Sequence, residues 1–269
     1  MSTKIATNAW IDPRAELDVD VEIGPLCVVG AGAKIGAGSK LLSSVTILGN
    51  VTMGRDNVVY PQAVLGGEPQ DVSYTGGETR VEIGDRNTIR ESVTINRGTT
   101  KEEGVTRIGS DNFLMAAAHV AHDCTLGDHI VVANATLLGG HVHVQDHAAL
   151  SGGVVVHHCT TIGRYAFVGG LSRVLHDVAP YMLYEGSPAK ARCINIVALR
   201  RKGFDPVEVD NLAEAHRLMY RSKIGLQAAR EMLATAGRDT PAVREMLDFI
   251  SCQSSGRHGR SRDVVRVAA

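Results

Sequence analysis

Apolar residues recur along this chain at every sixth position. From Ile5 the register reads Ile11, Leu17, Ile23, Val29, Ile35, Leu41, Ile47, Met53, Val59 and Leu65, and it resumes in phase at Ile83, Ile89 and Ile95. After one slip it runs from Ile108 through Leu114, Val120, Leu126, Val132, Leu138, Val144, Leu150, Val156, Ile162 and Val168 to Val174. None of these positions is polar or aromatic. The residue that follows is often glycine, as at Gly24, Gly36, Gly109 and Gly163. Four positions after the apolar residue the side chain is usually small or β-branched, as at Ala33, Val45, Cys124 and Ala148.

A helix needs a period of 3.6 and a half-buried hairpin strand a period of two, so neither produces six. A triangular coil of three short strands, with three hexads per turn, does. Stacked at the β spacing of about 4.8 Å, residues 5–179 would make roughly eight or nine coils and a prism on the order of 40 Å tall. Two polar, glycine-rich segments break the register, 66–80 and 98–107, and read as loops extruded from the prism. Past Pro180 the hexads stop and the spacing becomes helical, predicting helices near 190–202, 206–222, 226–236 and 240–250. The division expected is therefore a β-helix over 1–187, a helical region over 188–251 and a disordered tail over 252–269.

Composition agrees with a stacked aliphatic core: aromatic residues are 4% of the chain, and there are 29 glycines. The formal net charge of -1 gives no general case for a nucleic-acid partner or an anionic membrane surface. No stretch is long and apolar enough to span a bilayer, and the first twenty residues carry too many charges for a signal peptide. The five cysteines are scattered without CxxC spacing, which fits a reducing cytoplasm.

Eight of the eleven histidines fall between residues 119 and 158. With the three-hexad coil as a ruler, His141 stacks one coil beyond Asp123, and His158, with His157 beside it, two coils beyond His122. With His119 nearby, five imidazoles gather near one edge. Three readings stand for them: solvated corner residues, a metal site, or general-base chemistry in which His122 takes a hydroxyl proton and Asp123 orients the ring.

The runs HVAHDC at 119–124, RVEIGDRNTIRESVTINRGT at 80–99, IGSDNFLM at 108–115 and RRKGF at 200–204 are more selective than the hexads. Together they resemble the UDP-N-acetylglucosamine O-acyltransferase family of lipid A biosynthesis over nearly the whole chain to about residue 250. The resemblance implies a left-handed coil, a homotrimer with active sites between prisms, and transfer of a (3R)-hydroxyacyl chain from acyl carrier protein to the glucosamine 3-hydroxyl. It implies His122 as base, Asp123 as its partner, the Gly140 amide as oxyanion donor, no covalent intermediate, and no metal or other cofactor. Asp71 falls at the sugar-binding aspartate, and His119, His141, His157 and His158 at positions lining the cleft. Gly170 falls at the acyl-length position, and Asn195, Arg201 and Lys202 at nucleotide-handling positions. Ser73, Asn96, His158, Val197 and Lys202 depart from the residues the family pattern leads one to expect, which are Lys, His, Gln, Glu and Arg in that order. The basic residues Arg200, Arg201, Lys202, Arg217, Arg221 and Lys223 are candidates to receive the acidic carrier, or are solvated helix faces. A CoA-dependent sugar acetyltransferase, a 3-amino sugar acceptor, a zinc-dependent hydratase and a non-catalytic scaffold are the alternatives.

Overall fold

The computed structural model describes residues 3–254. Strands of two to four residues wind as a left-handed parallel β-helix whose three faces are sheets of eleven, nine and eight strands, the eleventh being a five-residue antiparallel strand added at the end. The hexad register is the packing register: Ile5 lies opposite Ile23, Leu41 opposite Val59, Ile89 opposite Leu114 and Val132 opposite Leu150. Each of these ladders points into the prism, where Ile35, Leu41, Ile47, Leu65, Ile89, Ile95 and Leu114 are fully buried. A side chain of that size stabilises by about 1.5–3 kcal/mol when removed from water, so the repeat itself supplies the driving force.

The corners explain why six residues suffice for a face and its turn. Each corner is a two-residue turn whose second residue has a left-handed backbone, and most such residues are not glycine: Asp56, Arg86, Asp111, Asp123, His141, Cys159 and Leu171 all have φ between 54° and 61°. That conformation costs roughly 1–2 kcal/mol per residue. It also turns the amide along the prism axis, where it donates to the corner carbonyl one coil away: Arg86 to Arg55, Asp111 to Asp85, His141 to His122 and Cys159 to Gly140, all at 2.9–3.0 Å. The corners are therefore ladders too, and a residue at one corner is held directly above its counterpart.

A second interior ladder is polar. The Asn57 Oδ1 accepts from the Asn87 amide, the Asn87 Oδ1 from the Asn112 amide, and the Asn112 Oδ1 from the Ile130 amide, at 2.7–2.9 Å. The Nδ2 groups of Asn87 and Asn112 donate to the carbonyls of Gly109 and Gly127. Asn57 and Asn87 are completely buried and Asn112 nearly so.

Both interruptions are loops, shorter than the sequence pattern implies. Strands Val64–Gly67 and Arg80–Ile83 flank the first, and Thr94–Asn96 and Val105–Ile108 the second, leaving 68–79 and 97–104 outside the sheets. Gly66, Gly67, Arg80 and residues 105–107 are strand because the coil faces lengthen to four residues there: Arg80–Ile83 pairs with Val105–Ile108 residue by residue. The two loops leave from the same corner on successive coils.

One helix prediction fails. Residues Lys190–Ile194 form a strand antiparallel to Met182–Glu185, with Met182 opposite Ile194 and Leu183 opposite Cys193. The last coil would otherwise end in a bare sheet edge, and pairing that edge outweighs the local helical spacing. The hairpin straddles the 187/188 boundary read from the sequence. Helix α1 is correspondingly short, Ile196–Arg201. Helix α2, Pro206–His216, starts where Asp205 caps the Val207 amide at 2.7 Å and continues as one π-helical turn, Arg217–Arg221. Helices α3, Leu226–Thr235, and α4, Pro241–Ser254, complete the described chain. Residues 252–254 thus extend α4, and the rest of the expected tail lies outside the described residues.

Candidate active site

The corner that releases both loops carries, on the next three coils, the turns His122–Asp123, Gly140–His141 and His158–Cys159. The left-handed residue of the first turn is Asp123. Its side chain folds back beneath the ring of its own neighbour, and His122 Nδ1 lies 2.9 Å from Asp123 Oδ2. A carboxylate only accepts, so Nδ1 carries the proton and the lone pair of His122 is on Nε2, away from Asp123.

Asp123 is 3% exposed. The Thr99 amide donates to its Oδ1 at 2.8 Å and the Thr99 hydroxyl to its Oδ2 at 2.7 Å, while its own amide donates to Thr106 Oγ1 at 2.9 Å. Burial alone raises the carboxyl pKa, but the bonds from His122 and Thr99 outweigh it and leave the pKa below the ordinary aspartate value. Asp123 is thus a fixed, ionised acceptor. Thr99 and Thr106 were not singled out by sequence; the coil ruler stops at the second loop, and only its fold returns Thr99 to this corner.

Gly140 sits directly above His122. A Cβ on Gly140 would lie 2.5 Å from His122 Cε1 and 2.7 Å from Nε2, so the absence of a side chain is what gives the ring its seat. Among the described residues none accepts a hydrogen bond from the Gly140 amide, which leaves a rigid backbone donor beside His122. His141 stands edge-on to His122, with centroids 5.1 Å apart and an interplanar angle of 89°. Its Nε2 is 3.7 Å from Asp123 Oδ2 and its Nδ1 is 3.3 Å from Glu102 Oε2. His119, on the face leading into the corner, has its Nδ1 2.7 Å from Thr94 Oγ1, and burial first, then the neighbouring His122, lower its pKa. The rings of His157 and His158 meet on the coil beyond, tilted at 43° with centroids 4.0 Å apart.

Asp71 reaches the same corner from the first loop. Its Oδ1 accepts from the Ser73 amide and hydroxyl at 2.9 and 2.7 Å, and its Oδ2 meets Lys101 Nζ at 2.6 Å; the Lys101 bond, then those from Ser73, hold its carboxyl well below the usual range. Asn96 is anchored by a bond from its Nδ2 to the Glu68 carbonyl at 2.6 Å, and its Oδ1 is buried without a partner.

The remaining candidates lie elsewhere on the prism. Gly170 is at the next corner, above Gly152, whose carbonyl would be 3.3 Å from a Cβ there. Asn195 is at the third corner, where its Nδ2 donates to the Tyr165 carbonyl at 2.9 Å and its Oδ1 caps the Ala198 amide of α1. Arg201 ends α1 and Lys202 caps it, both exposed. Two of the clustered histidines, His129 and His147, also belong to that third corner, stacked with Tyr165. Within one chain, then, the histidine dyad, Gly170 and the Asn195–Lys202 group occupy three different edges.

His122, Asp123 and His141 offer three ligand atoms within 4.8 Å of one another and could in principle hold a metal ion. Asp123 Oδ2 already accepts from Thr99 and lies within bonding distance of His122, so a metal there would have to displace the proton shared with His122. With its ring neutral, His122 turns the Nε2 lone pair outward, oriented by a buried carboxylate and next to an unused amide donor.

Residues 177–260 match the family model described as UDP-N-acetylglucosamine O-acyltransferase, domain 2. Acyl-(acyl-carrier-protein)–UDP-N-acetylglucosamine O-acyltransferases of Herminiimonas arsenicoxydans and Alkalilimnicola ehrlichii are 43% and 45% identical to this chain, each over 94% of it and 98% of their own length. Among solved structures, the UDP-N-acetylglucosamine acyltransferase of Bacteroides fragilis superposes with a TM-score of 0.89 at 35% identity, covering 92% of this chain and 96% of its own. The Arabidopsis enzyme of the same name superposes at 0.81 with 31% identity, covering 95% and 99%. Sequence, coil and helical region agree along almost their full lengths, and this chain belongs to the UDP-N-acetylglucosamine O-acyltransferase family.

Proposed function

We propose that this chain catalyses the first step of lipid A biosynthesis, moving a (3R)-hydroxyacyl group from the thioester of acyl carrier protein to the 3-hydroxyl of UDP-N-acetylglucosamine. The observation that carries the mechanism is the chain of bonds Thr99 to Asp123 to His122. His122 Nε2 takes the sugar hydroxyl proton as the oxygen attacks the thioester carbonyl, and Asp123 stabilises the imidazolium that forms. The Gly140 amide receives the developing oxyanion. Collapse of that intermediate expels the carrier thiolate, to which His122 returns the proton. The sugar attacks directly. The nearest thiol, Cys124, is completely buried and pushed up to about 12 by that burial, so it is no nucleophile.

Asp71 and the flanking His119, His141, His157 and His158 hold the sugar and the acyl chain's polar end, and Gly170 leaves room at the end of the acyl path. Asn195, Arg201 and Lys202 handle the nucleotide. Because these groups lie on three edges, one prism alone cannot offer them to one substrate, whereas three prisms side by side can. The nine-stranded face supports that homotrimer. Its outward residues Trp10, Val28, Thr46, Val64, Thr94, His119, Leu137 and Val155 carry no fixed charge, and Arg173 is the exception at the end. The eight-stranded face instead bears exposed pairs such as Lys34–Glu16 and Arg107–Glu82. Arg200, Arg201, Lys202, Arg221 and Lys223 form no ion pair among the described residues, which leaves them to attract an acidic carrier protein.

The test is transfer from a panel of (3R)-hydroxyacyl carrier proteins to UDP-N-acetylglucosamine by the wild type and by folded His122→Ala. A loss of about 10²–10⁴-fold is expected for the variant. Near-normal transfer by it would end the base assignment, and wild-type transfer only to a 3-amino sugar would replace the acceptor.

A further inference from the structure

The second loop does more than deliver Thr99. Its next residues at the corner, Lys101 and Glu102, are neighbours of opposite charge that reach in different directions to partners of opposite charge. Lys101 Nζ lies 2.6 Å from Asp71 Oδ2 at the tip of the first loop, and Glu102 Oε2 lies 3.3 Å from His141 Nδ1. Thr99, two residues earlier, holds both oxygens of Asp123. One short segment therefore touches the proposed sugar ligand Asp71, the cleft histidine His141 and the partner of the base.

The bases of the loops have their own anchors. Arg97 donates to the Gly66 carbonyl at 3.0 Å and to Glu68 at 2.9 Å, the Tyr74 hydroxyl meets Thr79 Oγ1 at 2.9 Å, and the Arg80 amide donates to the Gly104 carbonyl at 2.9 Å. None of these bonds the Asp71 carboxylate, which is otherwise held by Ser73 inside its own loop, while the Asp71 carbonyl accepts from the Tyr74 amide at 2.9 Å. Position along the prism matters as well. The first loop leaves one coil before the second and two before His122, so the tip of the first loop must be pulled along the axis to serve the site.

We propose that Lys101 and Glu102 form a clasp that positions Asp71 and His141 for the nucleotide sugar, acting on sugar affinity and not on proton transfer. The inference rests on the function proposed above. Lys101 is half exposed at its side chain while Asp71 is largely covered, so the pair is screened on one side only and its effect is modest. Glu102 sits on the far side of the His141 ring from Asp123, and the two carboxylates together keep Nε2 turned toward the dyad.

The experiment is steady-state kinetics of the full chain with calorimetric titration of UDP-N-acetylglucosamine, for Lys101→Met, Lys101→Arg, Glu102→Gln and Asp71→Asn, and for Asp71→Asn combined with Lys101→Met. Lys101→Met and Glu102→Gln are expected to raise KM and Kd for the sugar about three- to tenfold with kcat within twofold, and Lys101→Arg to recover most of the loss. Lys101→Met should add nothing to Asp71→Asn, because the lysine works through that carboxylate. Unchanged KM in Lys101→Met, additive losses in the double variant, or equal falls in kcat would each overturn the clasp while leaving the wild-type reaction in place. A wild type that neither binds nor acylates the sugar would instead remove the functional reading, and the clasp with it.

Discussion

Gly140 decides the position of the base by what it lacks. With a Cβ 2.5 Å from His122 Cε1, Gly140→Ala forces the imidazole to swing, although the backbone at 140 needs no left-handed conformation and the coil has room to form. Transfer should fall about 100-fold in kcat while the melting temperature changes little, which parallel kinetic and thermal assays would read out. Thr99→Val tests the support beneath: it removes the hydroxyl bond to Asp123 Oδ2 but keeps the amide bond to Oδ1. Loss of one bond to a buried carboxylate costs about 1.5–3 kcal/mol. Chemical denaturation of the variant should show that cost at neutral pH and less of it in acid, where Asp123 takes up its proton.

Among the elements, the asparagine ladder is the least obvious part of the fold. Asn87→Ala strands the Asn112 amide and the Gly109 carbonyl inside the prism at once, while the Asn57 Oδ1 keeps its bond from the backbone amide at 87 and loses the one from Nδ2. Each orphaned buried group costs about 1–3 kcal/mol, so urea denaturation should find Asn87→Ala more damaging than Ile89→Val two residues later, which costs about 0.5–1.5 kcal/mol. Ile89 belongs to a ladder that hydropathy reveals directly. Asn87 belongs to one that polar patterning hides, because an asparagine just before a strand reads as turn punctuation until the coils are stacked. The strand at Lys190–Ile194 was hidden for a related reason: its local spacing is helical, and only the open edge of Met182–Glu185 makes it a strand.

For the whole molecule, burial of imidazoles sets the acid limit. His119, His147 and His216 all have lowered pKa values, in each case first because burial disfavours the charged form. Below the ordinary imidazole value of about 6.5 the unfolded chain takes up these protons more readily than the folded one, so stability falls as pH drops from there toward the depressed folded values. Asp71 and Asp123, held ionised by their partners, withdraw further stability below about pH 4. Thermal melts across pH 7 to 3 should therefore decline in two stages, and a flat profile between pH 7 and 5 would contradict the first. Sedimentation at several concentrations is expected to find a trimer, and Leu137→Glu on the uncharged face to give monomers with intact coils.

The sequence by itself determined the coil, because a period of six in aliphatic side chains admits few ways of burying them and every hexad repeats the same instruction. It also determined that His122, Asp123, Gly140 and His141 share an edge, since stacking carries residue numbers straight into positions along the prism. Tertiary structure alone decided what the loops do. Thr99, Lys101 and Glu102 lie outside the register, and their partners Asp123, Asp71 and His141 are 24, 30 and 39 residues away in either direction. No local pattern encodes such pairs, because they arise from two irregular segments folding over one corner, where contact depends on the path of the chain and not on its period.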